Sequence, residues 1–290
     1  MAFNLATFKT RTLSAIVFGC IMVGALVWNQ WSFLLLFTVI HFGCWFEYNR
    51  LVESIHEKFV QVPAFIRITT MLVGFGGMLW LLDPQTYPLS FLPISLQQLG
   101  GWFIALALPF LVIGGWVSRK KLSVNAVLFL LGGLLYISLS WSLMLALRGR
   151  ALEGFNPSIG WILPVVLIVS IWINDTMAYL AGSIFGKTPL SKVSPKKTWE
   201  GTVTGVVLSV LIVGYGGNFW FGLPFKPLIF VAALSSIIGT VGDLFESKLK
   251  RMAGVKDSGQ MMPGHGGFLD RFDSLLIATP FVWVFVYLFL

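Results

Sequence analysis

The chain is 290 residues long, 57% hydrophobic and only 11% charged, with a mean hydropathy of +0.84. A soluble protein this apolar would lack the polar residues to cover its surface, so composition excludes the ordinary globular classes and points to an all-α, polytopic integral membrane protein. The formal net charge is +8, from twenty Lys and Arg against twelve Asp and Glu; these cations report membrane orientation and contacts with membrane lipids, and no nucleic-acid partner is expected.

Nine apolar stretches follow in order: 12–28, 31–46, 66–82, 101–117, 124–147, 161–185, 201–222, 227–247 and 274–290. Several fall short of the roughly 20 residues that a bilayer requires, so neighbouring polar residues must extend those helices. The first stretch lacks a small-residue cleavage site and is expected to be a retained helix rather than a signal peptide. Cys20 and Cys44 lie inside apolar stretches and read as small packing residues. With the N-terminus in the cytoplasm, seventeen Lys and Arg fall in cytoplasmic segments, and only Arg148, Arg150 and Lys226 lie opposite. Removing the nine cations of the last two cytoplasmic loops still leaves eight against three. The predicted topology is therefore about nine spans, N-terminus cytoplasmic and C-terminus outside, with the polar chemistry at the cytoplasmic face. Residues 1–150 carry few polar groups and read as a transmembrane scaffold. Residues 151–290 hold nearly all the candidate chemistry and read as a catalytic half, the two forming one structural unit.

Three polar clusters belong to that second half. In the first, WINDTMAYLAGSIFGK, Asp175 sits two-thirds along an otherwise apolar helix. A carboxylate there costs about 2.5–3.5 kcal/mol on insertion scales, so it requires a partner or a cation. Gly182 and Gly186, spaced as Gly-xxx-Gly, mark close helix packing. The second cluster is the loop 187–201. Ser194, Lys196, Lys197 and Thr198 place two ammonium groups and two hydroxyls just before a helix, and Ser194 or Thr198 is placed to cap it. The third begins with Asp243, Glu246 and Ser247, which share one helical face, and Glu246 is also spaced to pair with Lys250.

The third cluster continues as a dense polar run from Ser247 to Asp273, SKLKRMAGVKDSGQMMPGHGGFLDRFD, between two almost wholly apolar stretches. It contains the cations Lys248, Lys250, Arg251, Lys256 and Arg271, the carboxylates Asp257, Asp270 and Asp273, and His265 among glycines. Metal-ligand carboxylates, phosphate-binding cations and glycines whose N–H groups approach an anion closely read together as a phosphate-and-metal site at a membrane surface. Asp243, Asp270 and Asp273 are the candidate metal ligands. Oxygen-only ligation favours Mg²⁺ over Zn²⁺, because a lone His265 without a thiolate makes a poor zinc site. The residues alone thus indicate a Mg²⁺-dependent transfer involving phosphates.

The same run resembles a family signature. Ser-x-Leu-Lys-Arg, four residues, Lys-Asp-x-Gly, then Pro-x-His-Gly-Gly-Phe-x-Asp-Arg-Phe-Asp is similar to the hallmark of the phosphatidate cytidylyltransferases, or CDP-diacylglycerol synthases. Met262 departs from it by one apolar exchange. Ser194-Pro195-Lys196-Lys197-Thr198-Trp199 also resembles a stretch upstream of that signature, and the likeness covers about 172–273 strongly. It implies transfer of CMP from CTP to phosphatidic acid, giving CDP-diacylglycerol and pyrophosphate, at a bacterial inner membrane with the site facing the cytoplasm. It leaves open a second, monovalent cation and a homodimer.

On this reading Asp243, Asp270 and Asp273, with Lys250, Arg251 and Lys256, are the catalytic candidates. Asp175, Ser194, Lys196, Lys197, Thr198, Ser247, His265, Gly266, Gly267 and Arg271 are the substrate-binding candidates. Among rival readings, the Asp-Gly-x-x-Ala-Arg pattern of the CDP-alcohol phosphotransferases is absent. Another CTP-using lipid enzyme would differ in its product. An anionic-solute transporter is disfavoured because the carboxylates gather at one face and no inverted repeat is visible.

Overall fold

The computed structural model describes residues 5–89, 93–118, 122–149, 160–261 and 266–290, with side chains from residue 16 onward. It is built from α-helices: α1 Leu5–Val27, α2 Gln30–Ile55, α3 Ala64–Trp80, α4 Leu96–Val117, α5 Val124–Gly133, α6 Leu139–Arg148, α7 Ile162–Phe185, α8 Trp199–Phe221, α9 Phe225–Met252 and α10 Leu269–Phe289. No strand occurs among the described residues beyond one isolated bridge, Pro189 with Thr198. α5 runs into α6 through a π-helical turn at Leu134–Ser138.

Each apolar stretch of the sequence falls largely in one of these helices, with 124–147 shared by α5, the π turn and α6. Seven are long and apolar enough to cross a membrane, with Val124–Arg148 counted as one. Ile16–Val27 and Ala64–Trp80 are apolar but shorter; at 1.5 Å per residue α3 reaches about 26 Å against a hydrocarbon core of roughly 30 Å. The chain is thus an all-α, multi-pass membrane protein. Large apolar side chains face outward along the rods, as Leu106, Phe110 and Ile113 do on α4, which suits a lipid surround rather than water.

Two compact units divide the chain, Met1–Ala146 with Met252–Arg271, and Leu147–Arg251 with Phe272–Leu290. In the first, the turn between α1 and α2 is closed by Asn29, whose Oδ1 accepts from the N–H groups of Trp31 and Ser32 at 2.8 Å each. Its core gathers Phe33, Phe37, Trp45 and Trp141. The π turn delivers Ser138 to His41 Nε2 at 3.0 Å and Trp45 Nε1 at 2.9 Å. Gly74 leaves the room, since a Cβ there would strike the Ser138 hydroxyl.

In the second unit α7 lies close against α8 through Gly182, Gly201 and Gly205. A Cβ at Gly201 would meet the Ala178 carbonyl at 2.5 Å, and one at Gly205 the Asn174 carbonyl at 2.6 Å, so the two backbones nearly touch. Ser209 Oγ donates to the Ser170 carbonyl at 2.8 Å and ties the same pair deeper in the span. α9 meets α10 likewise at Gly242, where a Cβ would lie 2.6 Å from the Asp273 carbonyl.

Candidate active site

The close approach of α7 and α8 and the loop that joins them shape a cavity of about 400 Å³ in the second unit. Its walls bring together Asn174 and Asp175 from α7, Ser194, Lys196, Lys197 and Thr198 from the loop, and Thr240 and Asp243 from α9.

The loop is ordered by its own backbone. Leu190 N–H donates to the Lys197 carbonyl at 2.7 Å and Trp199 N–H to the Thr188 carbonyl at 2.9 Å. Of the two hydroxyls placed to cap α8, Thr198 does so, accepting from Gly201 N–H at 3.2 Å. Glu200, in the first turn, accepts from the N–H groups of Lys187 and Thr188 and from the Thr188 hydroxyl. Both strands of the loop are therefore pinned where α8 begins, and the Lys197 side chain is aimed at α9, where it pairs with the Asp243 carboxylate.

Asp243 is the hub of this site. Its second oxygen accepts from Ser247 Oγ at 3.2 Å, one turn on along α9. Asp175 and Asp273 both lie within electrostatic reach of Asp243 and of the Lys197 ammonium. Asn174 Nδ2 donates to Asp175 at 3.2 Å and reaches Thr240 Oγ1 at 3.4 Å. Three carboxylates thus lie near the Lys197 ammonium, with that of Lys196 in the same cavity wall, and the acidic donors are all oxygens. That set suits a hard divalent cation. Among the described residues, however, no group of three or more His, Cys, Asp and Glu side chains is placed to hold a metal ion.

The remaining sequence candidates lie elsewhere. Glu246, fully buried, pairs with Lys250 at 2.5 Å, as their spacing suggested. Arg251, Lys256 and Arg271 are exposed. His265 lies outside the described residues. Asp270 belongs to the first unit and accepts from Ser258 N–H at 2.8 Å and Gly267 N–H at 2.8 Å, with Ser258 Oγ 2.9 Å away. Gly266 adopts a left-handed φ of 82° beside it. Two of the glycines expected to approach phosphate thus border a carboxylate, and Gly267 gives its N–H to it.

One buried carboxylate that orders this region was missed from sequence. Glu47 of α2, only 6% exposed, accepts from Phe268 N–H at 2.8 Å, Leu269 N–H at 2.9 Å and Ser258 Oγ at 2.7 Å. The available signal was a lone carboxylate directly after the apolar stretch 31–46, where an unpartnered charge is costly.

Known proteins resemble this chain along most of its length. A model of the cytidylyltransferase family matches residues 9–289. The phosphatidate cytidylyltransferase of Staphylococcus saprophyticus is 30% identical over 94% of this chain and 96% of its own length. That of Staphylococcus aureus is 32% identical over the same shares. A protein of the same name from Synechocystis is 44% identical over 133 residues, 45% of each chain.

Proposed function

This chain belongs to the cytidylyltransferase family, an enzyme family that transfers a nucleotidyl group, and we propose that it joins CTP to phosphatidic acid. The products are CDP-diacylglycerol, an intermediate of phospholipid synthesis, and pyrophosphate. The observation that carries this reading is the pairing of two cavities on one helix pair. The polar cavity of about 400 Å³ holds Lys196, Lys197, Asp175 and Asp243. A second, of about 300 Å³, is lined by apolar residues of α7 and α8, including Val165, Val169, Ile212 and Trp220. A polar cavity toward the C-terminal end of α7 and an apolar one toward its N-terminal end offer separate surfaces for a phosphate headgroup and an acyl chain.

The nucleophile is a phosphate oxygen of phosphatidic acid, already ionised at neutral pH, so no strong general base is needed. It forms a bond to the α-phosphorus of CTP as the bond from that phosphorus to the bridging β-phosphate oxygen breaks, and pyrophosphate leaves with the electron pair. The barrier is anion meeting anion, and it falls through charge neutralisation and in-line placement. Lys196 and Lys197 offer ammonium groups to the meeting phosphates, and the hydroxyls of Ser194 and Thr198 orient them. Asp243 holds Lys197 in place and Ser247 steadies Asp243. Arg251, Lys256 and Arg271, with Lys250, are assigned to the leaving pyrophosphate and the lipid headgroup. A Mg²⁺ ion held by Asp243 and Asp273, beside Asp175, would neutralise phosphate charge and polarise the reacting phosphorus. Asp270, the third expected metal ligand, also accepts from Ser258 N–H and Gly267 N–H. The excess of Lys and Arg in segments predicted cytoplasmic supports nine passes, the N-terminus inside and the site facing the cytoplasm of a bacterial membrane.

The test uses the full chain in detergent micelles with CTP labelled at either the α- or the γ-phosphate. We expect α-label to enter the lipid phase only when phosphatidic acid and Mg²⁺ are present, and to stop on chelation. γ-Label in the lipid would instead identify a CTP-dependent lipid kinase. Transfer of neither label by the folded protein would refute the substrate assignment.

A further inference from the structure

Glu47 lies far in sequence from every motif of the reaction, yet it is tied to the most polar segment of the chain. Its carboxylate receives the N–H groups of Phe268 and Leu269, which open α10, and the hydroxyl of Ser258. That hydroxyl lies 2.9 Å from Asp270 and accepts from Asp270 N–H at 3.3 Å, so one serine links both carboxylates. One turn earlier on α2, Gly43 makes room for the Phe268 ring, which a Cβ there would strike at 2.5 Å. Gly259 and Gly267 approach Glu47 so closely that a Cβ on either would collide with its carboxylate. The glycines at 259 and 267 thus serve contact with a protein side chain, since no larger residue lets the backbone come so near.

A helix N-terminus is commonly capped by a residue next to it. At α10 the acceptor comes from a residue 222 positions away in the chain, so the conformation at the start of α10 depends on α2. We propose that Glu47 is a positioning residue for the transfer reaction: its carboxylate fixes the backbone at Ser258 and at Gly267–Leu269 and thereby sets where α10, with Asp270 and Arg271, begins. It touches no substrate. This inference rests on the cytidylyltransferase reading above.

The test is Glu47→Gln in the full-length protein in detergent micelles, which keeps the shape and replaces one acceptor oxygen by a donor. Hydrogen exchange and label transfer from α-labelled CTP are measured on the same preparation. The amides of Phe268 and Leu269 should exchange at least about tenfold faster, those of the middle of α2 unchanged. kcat should fall about 10–100-fold with KM for CTP and phosphatidic acid within about twofold, as for misplacement of groups that act in the transition state. Unchanged exchange would overturn the anchoring. Faster exchange with wild-type kcat would overturn the positioning role and leave Glu47 a structural residue. If Glu47→Gln does not fold, Ser258→Ala removes a single link and should lower kcat about 3–10-fold with the same split; wild-type kcat in that variant would overturn the proposal. A wild-type protein without transfer activity would sink the reading of function, while the exchange arm would still decide the anchoring.

Discussion

Asp270 and Asp273 stand three residues apart on α10 and keep different company. Asp270, with Glu47, is met by backbone N–H groups and the Ser258 hydroxyl. Asp273 lies in the field of Asp243 and Asp175, with the Lys197 ammonium as the nearby positive charge. A carboxylate met by backbone donors helps to hold a conformation. Carboxylates that crowd one another around the Lys197 ammonium hold an excess of negative charge that a cation can answer. We infer that acidic residues of this region divide into scaffolding and chemistry according to what donates to them, and position in the motif does not reveal which.

That division is open to direct attack. The largest effect is expected at Asp243. Asp243→Asn should lower kcat by about 10²–10³-fold and leave the thermal midpoint in micelles near that of the wild type, because the exchange relieves repulsion while it loses the Lys197 pair. A matching fall in midpoint would place Asp243 with the scaffolding group. Next comes Glu47→Ala, which strips the acceptor from two buried N–H groups and should cost about 2–4 kcal/mol of stability, read as a lowered midpoint; an unaltered midpoint would break the comparison from the other side. Ser247→Ala removes one hydrogen bond to Asp243 and should reduce kcat only about 3–10-fold, with stability changed by less than about 1 kcal/mol.

Much of the fold was legible because hydrocarbon thickness demands long apolar runs, and the nine runs lie in helix, although seven helices are long and apolar enough to cross a membrane. Their ends were less legible. α2 continues through Arg50 and Glu53 to Ile55, and α9 through Lys248 and Arg251 to Met252, because a helix can leave the membrane without stopping and hydropathy marks only the immersed part. The π turn at Leu134–Ser138 had no signature, since it answers the packing of His41 and Trp45 around Ser138. The polar cavity drew on residues that sequence had singled out one by one, as Asp175, Lys197 and Asp243 are each costly in an apolar setting. That Lys197 and Asp243 would pair was not legible, because 46 residues and a whole span separate them. Glu47 escaped notice since hydropathy ends the second run just before it, and its partners are backbone N–H groups that carry no residue-type signal.

The central claim is that the crowded carboxylates of the second unit hold the catalytic cation. It is tested most directly by the Mg²⁺ concentration that half-activates transfer of α-label from saturating CTP to phosphatidic acid, for the wild type and for Asp273→Asn. The account expects that concentration to rise at least about tenfold in the variant. A variant that reaches the wild-type rate at the wild-type Mg²⁺ concentration would contradict it.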